Sequence, residues 1–206
     1  MKILPANIPD DSNAGSAQPG SAGRLTGFNK GWYNHGNLPH FDQGCIFQVI
    51  TYRLFDSLPQ ECLKTLQAEL ENHDNENMEA DRRKKIEELL DRGHGSCVLK
   101  NKKCAKIVEE NWQHFNGVRY KLIAYVIMPY HVHVMINAYP DFELGKMVKS
   151  WKSYSAKNIN EVMDTPKAGI LWQRGYWDRY IRDEKHFYKT LEYIKKNFNN
   201  GGVLIG

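Results

Sequence analysis

Two histidines separated by one valine, His131 and His133, stand in an apolar run of this 206-residue chain. Side chains two apart on a β-strand face the same side, so both imidazoles can converge on one metal ion. Val132, Val134 and Ile136 then face the other side, as core residues do. The same spacing also suits two structural histidines held by hydrogen bonds, and the pair alone does not choose between these readings.

A second group of chemical interest lies towards the C-terminus. Phe187, Leu191, Ile194 and Phe198 recur at helical spacing and predict the core stripe of a helix. Tyr193 and Asn197, four apart, share one line along the flank of that stripe. A phenol and an amide oxygen one turn apart, set beside a histidine pair, can form one site. A metal would take His131, His133 and Asn197 and keep open positions for a phosphate oxygen. The competing reading of Tyr193 is an amphipathic tyrosine at a helix–sheet boundary.

Several elements must position these groups. CIFQVITYRLF (45–55) is β-branched and aromatic and predicts a first strand. Ser57 is an N-cap candidate for a helix carrying Cys62, Leu63, Leu66 and Leu70. The charged stretch up to Gly93, with its narrow stripe of Ile86, Leu89 and Leu90, predicts a largely solvated second helix. A third spans about 101–115, and Asn116-Gly117 makes a turn. Strands at 119–128 and 131–139 follow as a hairpin through Pro129-Tyr130. An amphipathic helix over 142–157 has Leu144, Met147, Val148 and Trp151 inside and Lys146, Lys149, Lys152 and Lys157 off the stripe. A short strand within 170–181 then leads to Asp183, the N-cap of the last helix, which Gly201-Gly202 ends. The order strand, helices, strand, strand, helix, strand, helix is a split βαβ, ferredoxin-like α+β pattern with an antiparallel sheet and a helical insertion. The expected organisation is a flexible leader over 1–30, one domain over 31–200 with its insertion at about 72–94, and a tail over 201–206. GWYNHGNLPHFD (31–42) is expected to be an aromatic-rich loop.

Composition narrows the class further. The net charge of +4 allows a polyanionic partner without requiring one. No stretch is apolar enough for a membrane span, and the first residues lack the apolar region of a secretory signal. Cys45, Cys62, Cys97 and Cys104 include no C-x-x-C pair, which argues against a zinc ribbon and fits a reducing compartment. The expectation is a cytoplasmic protein.

VRYKLIAYVIMPYHVHVMI resembles the HUH nuclease motif, in which two histidines flank a hydrophobic residue on a strand that follows an apolar one. WQRGYWDRYIRDEKHFYKTLEYIKKN is similar to the C-terminal block of the REP-associated tyrosine transposases, HUH single-tyrosine enzymes of the IS200-like kind. Tyr193-Ile194-Lys195-Lys196-Asn197 matches the Y-I-x-x-N signature of that block. GWYNHGNLPHFD and the run from Gly95 through Phe115 are also similar to segments of the family, so the resemblance extends from Gly31 to Asn197. Two positions depart from it: Phe198 stands where the family commonly has proline, and Tyr130 where it often has asparagine.

The resemblance implies a metal-dependent endonuclease and strand transferase acting on single-stranded DNA near hairpins. Tyr193 would be the nucleophile, forming a 5′-phosphotyrosine link, and the metal would be Mg²⁺ or Mn²⁺, although two imidazoles by their ligand chemistry alone also allow zinc. A tyrosine of pKa ~10 needs its proton removed or displaced to attack at neutral pH. Phosphate contacts are expected from Lys146, Lys149, Lys152, Arg174, Arg179 and Arg182, and base stacking from Trp32, Tyr33 and Trp177. Family relatives act as monomers or as homodimers that exchange tyrosine helices. Two rival readings are a domesticated hairpin-binding protein that does not cut, and a metal-dependent phosphoesterase that uses water. Tyr188 and Tyr180 are the reserve nucleophiles.

Overall fold

The computed structural model describes residues 29–35, 38–58, 95–164 and 170–206. The leader up to residue 28, the helix expected beyond Leu58 and the charged segment 72–94 lie outside the described residues.

The aromatic-rich segment expected to be a loop is a β-hairpin, β1 (Asn29–His35) paired antiparallel with β2 (Leu38–Gln43). Its aromatic side chains stabilise the pairing across the strands: Trp32 opposes Phe41, with ring centroids 5.1 Å apart. Turn formers in the segment obscured that alternation.

The main sheet holds β3 (Phe47–Arg53), β4 (Tyr120–Ile127), β5 (His131–Ala138), β6 (Trp177–Tyr180) and β7 (Leu204–Ile205). Their spatial order is β6-β3-β5-β4-β7, and every neighbouring pair is antiparallel. Taken alone, β3 to β6 lie fourth-first-third-second, the ferredoxin-like α+β arrangement. The expected tail at 201–206 instead closes the free edge of β4. Val203 N–H donates to Ile127 O at 2.7 Å, and Gly206 exchanges two bonds with Tyr125. An exposed edge is thereby covered.

Among the described residues, three α-helices pack on the sheet: α1 (Lys102–Phe115), α2 (Leu144–Val162) and α3 (Glu184–Asn199). Helices α1 and α2 cover one face, where Trp112 and Trp151 are fully buried with Tyr52, Tyr120, Val132, Val134 and Ile136. Edge-to-face contacts such as Tyr120 on Trp151, at 5.3 Å, add ~0.5–1.5 kcal/mol each beyond buried area. Helix α2 runs five residues past its expected end at 157, because Ile159 extends the buried stripe. The strand expected within 170–181 is restricted to β6; Trp172 makes an isolated bridge to Leu54, and Gly175, at φ 73°, turns the chain between them.

Helix α3 covers the opposite face over a smaller core of Phe47, Val126, Met135, Phe187 and Ile194. Asp183 caps it, accepting from His186 N–H at 2.6 Å, and Gly201 ends it at φ 108°. Its buried residues are Phe187, Thr190, Ile194 and Asn197, whereas Phe198 is exposed. The stripe therefore runs at three- and four-residue steps and turns towards Asn197, not Phe198. Because β5 is covered on both faces, it reads as a nearly continuous apolar run.

Candidate catalytic site

Alternation along β5 sends Val132, Val134 and Ile136 into the core under α1 and α2, and His131 and His133 to the side of α3. Both imidazoles are buried, at 2% and 1% exposure. Their Nε2 atoms lie 2.9 Å apart.

Strand β3 supplies the supporting residues by register. Thr51 opposes His133, and its Oγ1 is 2.7 Å from His133 Nδ1. With Nδ1–H donated to that hydroxyl, His133 Nε2 presents a lone pair to the site. Arg53 opposes His131 and is itself buried; its guanidinium carbon is 5.8 Å from the Trp177 ring centroid. Trp177 opposes Thr51 on β6 and Arg179 opposes Val49, so both stand on the histidine face. Tyr130 packs its ring on His131, centroids 5.1 Å apart.

Helix α3 brings the phenol. Tyr193, half-buried on the flank of the stripe, places its hydroxyl 3.4 Å from His133 Nε2, with ring centroids 5.1 Å apart. Asn197 is buried and its Nδ2 donates to Tyr193 O at 3.0 Å, which leaves the amide oxygen as the group free to act as a ligand. The structure thus joins His131, His133 and Tyr193 within one chain and attaches Asn197 through the tyrosine's own backbone. Tyr188 is exposed, and Tyr180 packs on Trp32 and Phe41 instead.

Burial holds both histidines neutral. It brings the His133 imidazole down to about 4. His131 lies well below its ordinary value through burial first, then the neighbouring His133 and the Arg53 charge. Neutral imidazole is the form that binds metal. Two nitrogens 2.9 Å apart match two adjacent ligands of an octahedral ion, which at bonds of ~2.1 Å stand ~3.0 Å apart. His131 Nδ1 is buried without a hydrogen-bond partner, so this imidazole is held by packing and by its Nε2 contact. Among the described residues no group of three or more His, Cys, Asp or Glu side chains is placed to hold an ion. Two imidazoles suit a borderline divalent ion such as zinc at least as well as a hard one, and a pair with open positions differs from a closed four-ligand structural site.

The other expected binding residues fall into three places. Trp177 and Arg179 flank the histidine face, and Arg182 lies just beyond, its backbone N–H 3.4 Å from His186 Nδ1. Lys146, Lys149, Lys152, Arg174 and Tyr33 instead line a cavity of about 1140 Å³ between α2 and residues 170–176. Of these, Lys152 is committed to the fold: its Nζ donates to Gln173 O and Gly175 O, at 2.5 and 2.7 Å. Trp32, on the β1–β2 hairpin, is 64% exposed. Next to it His40 is bonded to Asp178 and stacks on Tyr176, which ties the hairpin to β6.

Sequence reasoning missed Thr51 and Arg53. Their signal was available only as alternation on the first strand: with Tyr52 assigned inward, both neighbours face the other side.

Residues 97–197 match the family model described as transposase IS200 like. No curated protein matches the chain. Among solved structures, the chain is similar to a REP-associated tyrosine transposase bound to a REP hairpin, at 15% identity and a TM-score of 0.44, over 80% of this chain and 73% of that one. It is also similar to a protein from Deinococcus radiodurans R1 described as a transposase, at 16% identity and a TM-score of 0.35, over 80% of this chain and 95% of that one. No helix of the described residues is long and apolar enough to cross a membrane. The family match spans the histidine strand, the tyrosine helix as far as Asn197 and everything between them, and over this stretch the chain is similar to the IS200-like transposases.

Proposed function

We propose that this protein nicks single-stranded DNA and transfers the cut strand, with Tyr193 as nucleophile. The observation that carries the reading is the Tyr193 hydroxyl, 3.4 Å from a histidine nitrogen that lies 2.9 Å from its partner. Two neutral imidazoles beside a phenol suit phosphoryl transfer, in which a positioned oxygen attacks while charge on the phosphoryl oxygens is neutralised.

The Tyr193 Oη–P bond forms as the P–O3′ bond breaks; the phenol gives up its proton and the departing 3′ oxygen takes one up. The 5′-phosphotyrosine keeps the bond for rejoining to another 3′-OH. A divalent ion, Mg²⁺ or Mn²⁺, held by His131, His133 and the amide oxygen of Asn197, would supply Lewis-acid charge to the phosphate. The chain's own residues do the rest. Thr51 fixes the His133 tautomer, Asn197 ties the tyrosine turn, and Arg53 places a permanent positive charge beside the pair, where the scissile phosphate docks. Trp177 is in reach to stack an adjacent unpaired base.

A labelled single-stranded hairpin, incubated with the wild type and with Tyr193→Phe in Mn²⁺ or EDTA and run on a denaturing gel, tests the reading. The expected result is a covalent protein–DNA band from wild type with metal only. Cleavage without an adduct, unchanged in Tyr193→Phe, would establish a water-using phosphoesterase instead. Binding without cleavage across a hairpin series would establish a non-cutting binder.

A further inference from the structure

The cavity between α2 and residues 170–176 lies on the side of the sheet that α1 and α2 cover, opposite the histidine pair. We propose that it is a channel for the single-stranded DNA flanking the scissile phosphate; the inference rests on the nicking reading above.

Charge argues for the occupant. Lys146, Lys149 and Lys157 stand along the α2 wall, and Arg174 faces them from the other. All four are exposed. Lys146, its side chain 80% exposed, pairs with Glu143 three residues earlier at 3.0 Å and keeps its ammonium open to solvent and to a phosphate. Lys152, between them, holds the opposite wall by its two carbonyl bonds and so keeps the channel open at a set width. The far end carries Glu161 and Asp164, which confines a polyanion to the half nearer β6.

The floor argues for unpaired bases. It is apolar, with Trp172 beneath and Ile170 60% exposed at its rim. A duplex turns its bases inward and offers such a floor nothing, whereas a single strand offers phosphates to the cations and base faces to the apolar wall. A volume of about 1140 Å³ exceeds what one small ligand fills, ~300–1,000 Å³.

Position argues for the path. Tyr176 lines the channel, and the next residue, Trp177, begins the edge strand β6 and stands on the histidine face. A strand leaving the channel past Tyr176 therefore meets Trp177 and then Arg53, beside His131.

The test reads binding apart from cutting. A fluorescein-labelled, mixed-sequence single strand is titrated in EDTA onto Tyr193→Phe protein carrying K149E/R174E, with K102E/K103E on α1 as a control of equal net charge. The channel predicts a loss of affinity of at least ~10-fold for K149E/R174E alone, and a salt dependence shallower by roughly 1.4 or more in log–log slope. It also predicts weaker binding of the matching duplex to the parent protein. Melting curves of all variants establish that they fold. Equal affinity of K149E/R174E and parent, an equal loss in the α1 control, or competition by polyglutamate as strong as by unlabelled single strand would each overturn the proposal. If wild type forms no adduct while K149E/R174E loses binding, the channel stands and the nicking reading falls. An adduct from wild type with unchanged binding by K149E/R174E gives the reverse.

Discussion

The Tyr193 hydroxyl and His131 Nε2 address the same atom, His133 Nε2, from 3.4 and 2.9 Å. One lone pair with two neighbours makes His133 the pivot of the site. Thr51 decides which way that lone pair points.

Thr51→Val should therefore impair the site while sparing the fold. The substitution keeps the branched shape and removes the partner of Nδ1, freeing the tautomer. Loss of such a supporting contact typically costs ~10–100-fold in metal affinity or activity. Mn²⁺ titrations of adduct formation should show that drop with near-wild-type melting; an unchanged titration would exclude this role for Thr51.

Arg53 separates charge from geometry. Arg53→Gln should slow adduct formation by ~10²-fold, the scale of removing one preorganised donor at a phosphoryl oxygen. Arg53→Lys should lie between, because it keeps the charge but loses the planar fork. The His131 imidazole should become easier to protonate in Arg53→Gln, since the Arg53 charge helps hold it down. Single-turnover rates and NMR titration of the histidines check both halves. Equal rates for wild type and Arg53→Gln would remove Arg53 from the chemistry.

The buried pair also sets a pH dependence. Both imidazoles titrate lower in the folded chain than the ordinary 6.5, His133 at about 4. Below pH ~6.5 the unfolded chain takes up protons that the folded one refuses, so stability is lost as pH falls from there towards 4 and is full above. In EDTA, melting temperature should be flat for this contribution above that window and fall within it. His133→Asn should fall less steeply than wild type; parallel curves would mean that other groups carry the acid sensitivity.

Ile194 connects packing to chemistry. It is 2% exposed on the buried side of α3, next to Tyr193 in the chain. Ile194→Ala should cost ~2–5 kcal/mol of stability by leaving a cavity, and loosen the helix that carries the phenol. Chemical denaturation gives the first quantity. Adduct formation measured well below the melting temperature gives the second, and a full wild-type rate there would show that the helix holds its place without this contact.

The sequence by itself determined what is local. Alternation placed His131 and His133 on one side of a strand with Val132 and Val134 on the other, and helical spacing paired Tyr193 with Asn197. It also set the capping of the last helix by Asp183. These follow from the two- and 3.6-residue periods of the backbone. Other features exceeded that reach. The hairpin at 29–43 hid behind its turn formers, and residues 204–205 form a strand only because β4 offers them an edge. Phe198 looked like core by spacing, yet α3 turns that side to solvent. Above all, the meeting of His133 with Tyr193, 60 residues apart, and the alignment of Thr51 and Arg53 with the histidines are consequences of strand order and of which face α3 covers. Periodicity tells which residues share a side of one element; only the packing of elements against each other decides which sides meet.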